Sequence, residues 1–198
     1  MMIDYLESVD RMVVLAVNSW NTPFIDELMW IVSAKLTWIP FYILLVFLYA
    51  RKNNLKKTFF YLLSAILVVA LADQLSVHLF KNIFLRYRPS HNELLTAKLH
   101  FYQFSNGENY KGGMYGFVSS HAANFFGVCV FAGLVLKKYH PKIILVLLLI
   151  AGLVSFSRIY LGVHYLSDLI GGALLGSILA FIVYRIVFIT NIDKEYLK

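Results

Sequence analysis

The sequence predicts an all-α fold, a polytopic membrane helical bundle, and three observations carry that reading. Hydrophobic residues make up 60% of the 198 positions and charged residues only 15%, whereas soluble domains sit nearer half apolar and a quarter charged. The mean hydropathy is +0.69. The apolar residues gather into long intervals free of Asp, Glu, Lys and Arg, and the basic residues fall in short clusters between them. A disordered chain is excluded by this pattern, and the pattern weighs against an ordinary soluble domain.

The intervals are Leu36–Ala50, Thr58–Ala72, Gly112–Leu136, Ile143–Ser157 and Leu169–Tyr184. A helix needs about 20 residues to cross about 30 Å of hydrocarbon. Several intervals reach that length only with polar residues at one end. The expected spans are therefore 31–50, 58–81, 116–136, 142–159 and 167–189. The preceding stretch, 3–29, mixes apolar residues with Asp4, Glu7, Asp10, Arg11, Asp26 and Glu27, and Asn21-Thr22-Pro23 breaks it. It reads as two amphipathic helices lying at the membrane interface, or else as a sixth, poorer span. The whole chain is then one membrane-embedded domain: interfacial helices over 1–30, a bundle over 31–189, and a long outer loop at 82–115. The aromatic and glycine residues of that loop suit a lid or lipid-facing rim.

Basic clusters at 51–57 and 137–142, with Lys194 and Lys198 in the tail, fall on one side of five spans. The positive-inside rule makes that side cytoplasmic. The net charge of +7 is thus read as orientation, and no nucleic-acid partner is expected. Cys129 is the one cysteine, so no intrachain disulfide can form. The acidic N-terminus does not read as a cleavable signal peptide.

On the opposite, outer side the ends of four spans converge. Lys81 ends the second span, with Arg86, Arg88 and Pro89 beyond it. Ser119, Ser120 and His121 open the third, Ser157 and Arg158 close the fourth, and His164 and Asp168 open the fifth. Charged groups at membrane depth are costly and point to function. Lys81, Arg88 and Arg158 can neutralise a phosphate. Ser119 adds a hydroxyl, and the N–H groups opening the third span favour an anion. His164 and Asp168, spaced i, i+4, share a helix face. The carboxylate can fix the imidazole tautomer and leave the far nitrogen free to attack. His121, on another helix, can protonate a leaving group. No cluster with metal-ligand spacing appears, so neither metal nor cofactor is expected.

These residues resemble the type 2 phosphatidic acid phosphatase superfamily, whose motifs are Lys-x6-Arg-Pro, Pro-Ser-Gly-His and Ser-Arg-x5-His-x3-Asp. Here the first runs from Lys81 to Arg88-Pro89 and the third from Ser157-Arg158 through His164 to Asp168. Both are complete. The second is Val118-Ser119-Ser120-His121, with Val118 for Pro and Ser120 for Gly. The resemblance implies that His164 is a nucleophile forming a phosphohistidine, that Asp168 orients it, and that His121 is the general acid. It implies that Lys81, Arg88, Ser119, Ser120 through its N–H, and Arg158 hold the phosphoryl oxygens. The implied activity is metal-independent removal of phosphate from a lipid phosphate or diphosphate at the outer face of a bacterial inner membrane. Undecaprenyl diphosphate is the substrate expected first, with lipid A or phosphatidylglycerol phosphate as the alternative. A transporter and a non-catalytic lipid-phosphate-binding protein are the rival classes; no obligate protein partner is evident.

Other polar residues carry blander expectations. Asp73 reads as a partner for another helix, and Arg86 as a headgroup contact or an interface anchor. Ser157 reads as a phosphate-site residue or one bonded within its own helix, and His91 and His100 as solvated loop residues. Gly172-Ala-Leu-Leu-Gly176 reads as a close helix contact.

Overall fold

The computed structural model describes residues 2–190; Lys194 and Lys198 of the orientation reading lie outside them. The helices are α1 (Met2–Asn18), α2 (Pro23–Ser33), α3 (Ile39–Ala50), α4 (Leu55–Leu75), α5 (Asn82–Phe84), α6 (Glu93–Thr96), α7 (Ser120–Leu136), α8 (Ile143–Tyr160) and α9 (Leu166–Ile182). A wide-turn segment joins α4 to α5 without a break, so Leu55–Phe84 is one helix of 30 residues. Another prolongs α9, making Leu166–Ile189 a helix of 24. Two isolated bridges are the only β pairing among the described residues.

Leu55–Phe84, Ile143–Tyr160 and Leu166–Ile189 are long and apolar enough to cross a membrane. Leu145, Leu149, Leu174 and Ile178 stay exposed on them, as lipid-facing residues do and as a soluble surface rarely tolerates. The long second helix carries three more residues at its outer end than the expected 58–81.

Two expected boundaries move. The span at 31–50 is not one helix: Pro23–Ser33 and Lys35–Ala50 meet at a bend of 64°. Ala34 is extended there, and the Trp38 indole N–H donates to the Val32 carbonyl at 2.8 Å. That bond satisfies a carbonyl which a continued helix would have used. The span at 116–136 begins as helix only at Ser120, because Ser119 is its extended N-cap, its Oγ accepting from Ala122 N–H at 3.4 Å. At 17 residues α7 is shorter than the other three.

α7 is the central helix, packed on α4, α8 and α9. Toward its C-terminal end Tyr49, Tyr61, Phe131 and Phe188 form an aromatic core with ring centroids 4.7–6.5 Å apart. The contact with α9 is close because glycines remove the side chains. A Cβ added at Gly176 would sit 2.0 Å from the Ala123 carbonyl oxygen and 2.8 Å from Gly127 N. Both are backbone atoms, so a whole helix must shift. Gly176→Ala is expected to lower the melting temperature of the detergent-purified protein by about 4 °C or more, read by a thermal unfolding scan.

α1 and α2 pack across α8, and α1 also reaches α9. The inner stripe of α1 is Asp10, Val14 and Asn18, all buried. Asn18 donates to the His100 and Tyr160 carbonyls at 2.8 and 2.7 Å and accepts from His100 N–H at 2.8 Å. It pins the outer loop to the end of α8.

Candidate active site

The end of the bundle that holds His164 is assembled by two backbone reversals. Leu85 adopts the left-handed conformation (φ +48°) after α5 and ends the long helix. The chain then folds back against 114–116, Arg88 N–H donating to Met114 O at 3.0 Å and Gly116 N–H to Arg86 O at 2.9 Å. Gly162 (φ +68°) makes the turn after α8 that delivers His164.

His164 and Asp168 are fully buried, with Nδ1 3.2 Å from the Asp168 Oδ2. The pair does not lie along one helix face as its spacing suggested. α9 starts at Leu166, and Tyr165 is its extended N-cap. Asp168 folds back over the helix start, accepting Tyr165 N–H at 3.1 Å and the His164 imidazole on the same oxygen. With Nδ1–H facing the carboxylate, His164 Nε2 carries the lone pair, and it has no hydrogen-bond partner among the described residues. Burial first, then the charges of Arg88, Arg158 and Lys81, hold this imidazole well below the usual histidine range, so it is neutral.

The three cations that bear on His164 are each anchored. Lys81 Nζ donates to Ser120 Oγ at 2.6 Å, and Ser120 Oγ lies 2.7 Å from Ser76 Oγ. The hydroxyl that distinguishes Ser120 from glycine thus seats the lysine, a role additional to the expected N–H. Arg88 is buried and donates through Nε to the Tyr115 carbonyl at 3.0 Å. Burial, then Arg158, lowers its pKa to about 10, and it stays charged at neutral pH. A Cβ at Gly112 would come 2.6 Å from its Nη1, and one at Gly116 would come 2.7 Å from Asp168 Oδ2. These loop glycines therefore make room for the site. Arg158 gives Nη1 to Ser33 Oγ and Nη2 to Tyr110 Oη at 2.8 Å, while its Nε has no partner among the described residues.

The remaining candidates differ in how closely they join this group. Ser119 is buried; its hydroxyl oxygen caps α7 and its N–H donates to the Asp168 carbonyl at 3.0 Å. Its own hydroxyl hydrogen has no acceptor among the described residues. Val118 packs against Gly171 of α9. Ser157 Oγ bonds the Val154 carbonyl at 2.7 Å within its own helix. His121 makes no hydrogen bond among the described residues and faces a cavity of about 630 Å³ between α3, α4 and α7.

The roles of several side chains escaped the sequence reading. Arg86, expected as a headgroup contact or an interface anchor, instead donates to Asp168 Oδ1 at 3.0 Å, to Ser167 Oγ at 2.6 Å and to Asp10 Oδ2 at 2.7 Å. Asp10 also accepts Ser167 N–H at 2.9 Å, at the positive start of α9. One legible signal was an acid four residues before Val14 and eight before Asn18, on the buried stripe of an amphipathic helix. Tyr110 had no such signal. It is fixed by an aromatic cluster in which Trp30 stacks on Tyr102 at 4.7 Å and meets Tyr110 edge-on at 4.9 Å. The outer loop is thus fastened to α2. His100, expected in solvent, joins that fastening through Asp26 at 2.9 Å, and His91 Nδ1 lies 3.1 Å from Ser90 Oγ. Asp73, expected to pair with another helix, makes no side-chain hydrogen bond or ion pair among the described residues and lines the cavity instead.

Membrane-crossing helices that bring a buried His–Asp pair and three cations together at one end have the architecture of a membrane phosphatase, a hydrolase of phosphate esters. Residues 58–192 match the PAP2 superfamily, and the chain belongs to that superfamily of lipid phosphatases. It is 32% identical to a lipid A 4'-phosphatase of Porphyromonas gingivalis, over 93% of this chain and 75% of that one. It is also 32% identical to one of Bacteroides thetaiotaomicron, over 93% and 80%. The crystal structure of a transmembrane PAP2-type phosphatidylglycerolphosphate phosphatase from Bacillus subtilis superposes with a TM-score of 0.70 at 24% identity, covering 96% of this chain and 89% of that one. The structure of Aquifex aeolicus LpxE gives 0.60 at 22%, covering 88% and 93%. These two likenesses establish the shared membrane fold.

Proposed function

We propose that this chain is a lipid A phosphatase that removes a phosphate monoester from an acylated amino sugar through a phosphohistidine intermediate. Two relatives matched over 93% of the chain bear that activity in their names. They favour lipid A, the alternative of the sequence reading, over undecaprenyl diphosphate. The observation that carries the mechanism is the unpartnered Nε2 of neutral His164 among Lys81, Arg88 and Arg158.

The His164 Nε2 lone pair attacks phosphorus, and the ester P–O bond breaks. The leaving oxygen takes a proton from His121. Asp168 accepts the Nδ1–H bond and stabilises the charge that develops on the ring. Lys81, Arg88, Arg158, the Ser119 hydroxyl and the Ser120 N–H hold the phosphoryl oxygens, so the charge of the transition state is met by preorganised cations and donors, without a metal. His121, now neutral, takes a proton from water, which attacks phosphorus; the N–P bond breaks, and inorganic phosphate leaves with His164 restored. In this reading the site lies at the extracytoplasmic face of the inner membrane, with α1 and α2 along the interface; the basic segments at 51–57 and 137–142 support that orientation.

The test is phosphate release by the detergent-purified protein from a panel holding lipid A, undecaprenyl diphosphate and phosphatidic acid, with and without EDTA. Release that prefers lipid A and persists in EDTA is expected. Preference for another lipid overturns the substrate, and loss in EDTA overturns the metal-free mechanism.

A further inference from the structure

We propose that the polar end of the cavity beside His121 is a leaving-group subsite that selects an N-acylated hexosamine. The inference rests on the substrate reading above and names the residues that would enforce it.

Whatever departs from phosphorus departs toward the group that protonates it. His121 opens onto the cavity between α3, α4 and α7, so the leaving group is received there. The lining changes character with depth. Asn124 lies one turn past His121 on α7, about 4.5 Å along the axis. Asp73 and Gln74 lie on α4, Asp73 about 12 Å before Lys81. Lys35, at the bend before α3, also lines the space. Deeper, Leu45, Tyr61 and Val128 take over. The cavity is amphipathic: hydrogen-bonding groups lie next to the reacting centre and an apolar channel lies beyond.

Neither the Asp73 carboxylate nor the Asn124 amide has a hydrogen-bond partner among the described residues, and Asn124 Oδ1 is closed off from solvent. Asp73 is half-buried with only the longer-range charge of Lys81 to meet it among the described residues, and a buried amide oxygen without a donor loses a hydrogen bond that water would have given it. The ligand must therefore bring donors. A polyprenyl chain offers none. Diacylglycerol offers only the hydroxyl that His121 generates. An N-acylated hexosamine brings an amide N–H and ring hydroxyls, with acyl chains for the apolar channel.

Asp73→Asn and Asn124→Leu remove no side-chain hydrogen bond among the described residues, and because the Asp73 charge also acts on Lys81, phosphatidic acid serves as the internal control. Each is compared with the parent for kcat/KM on two substrates in mixed micelles: a 4'-phosphorylated, N-acylated glucosamine lipid and phosphatidic acid. The ratio of the two values is expected to fall by about tenfold or more in each variant, mainly through KM for the sugar lipid. An unchanged ratio, whether both substrates suffer equally or neither does, overturns the subsite and leaves the substrate reading standing. Parent protein that cleaves phosphatidic acid and not the sugar lipid overturns both.

Discussion

Replacing His164 with alanine is expected to reduce phosphate release by about 10⁴-fold or more, the scale seen when the nucleophile of a mutually dependent catalytic group is removed. Among the described residues, His164 Nε2 is the buried imidazole nitrogen that has no hydrogen-bond partner and bears the charges of all three cations. The loss should therefore fall on kcat, with lipid binding retained. A rapid alkaline quench of turnover with labelled substrate should leave acid-labile phosphate on the parent protein and none on His164→Ala. Label on the variant would assign the attack elsewhere. His121 gives a complementary signature. His121→Ala should lose about 10²–10⁴-fold on a lipid substrate and much less in the first step with an aryl phosphate, whose leaving group needs no proton. Equal losses on both would remove His121 from proton transfer.

The second large effect belongs to Arg86 and Asp10, which touch no reacting atom. Arg86 lies between two buried carboxylates, Asp10 and Asp168, and fixes the Asp168 oxygen that is not on His164. Arg86→Ala leaves both acids buried without their cation, a change expected to destabilise by about 3–5 kcal/mol. Asp168, no longer held, would lose its orientation toward Nδ1. Arg86→Lys separates the two effects. It restores a charge but not the fork that spans both acids, so melting temperature should recover further than kcat does. Asp10→Asn should likewise lower kcat at nearly constant KM, because Asp10 meets the Arg86 and Ser167 side chains. If Arg86→Lys regained kcat in step with stability, Arg86 would be a structural bridge and not a positioning residue.

Much of the fold and of the site was legible residue by residue. The charge-free intervals fell on α3, α4, α7, α8 and α9, with ends that differ by as many as twelve residues, because transfer into hydrocarbon is decided by composition over one continuous stretch. The break at Ala34 was not legible, since it depends on an indole reaching back to the Val32 carbonyl. The spacing of His164 and Asp168 foretold a bonded pair, yet their true relation is a helix cap with the histidine outside the helix. Ser120 stands where the motif has glycine and was expected to serve through its N–H, yet its hydroxyl is what seats Lys81.

Hydropathy and local spacing by themselves determined that this is a membrane bundle, where its helices run, and that Lys81, Arg88, His121, Arg158, His164 and Asp168 lie at one end of it. These are short-range properties: each depends on a continuous run of residues or on a helix end. Only the tertiary structure decided what holds those residues in place. Asp10 reaches Arg86 across 76 positions and Ser167 across 157, and Arg86 reaches Asp168 across 82. Tyr110 meets Arg158, and Asp73 is left facing the cavity. No periodicity encodes such pairings, because they arise from packing α1 and the outer loop onto helices far away in the chain.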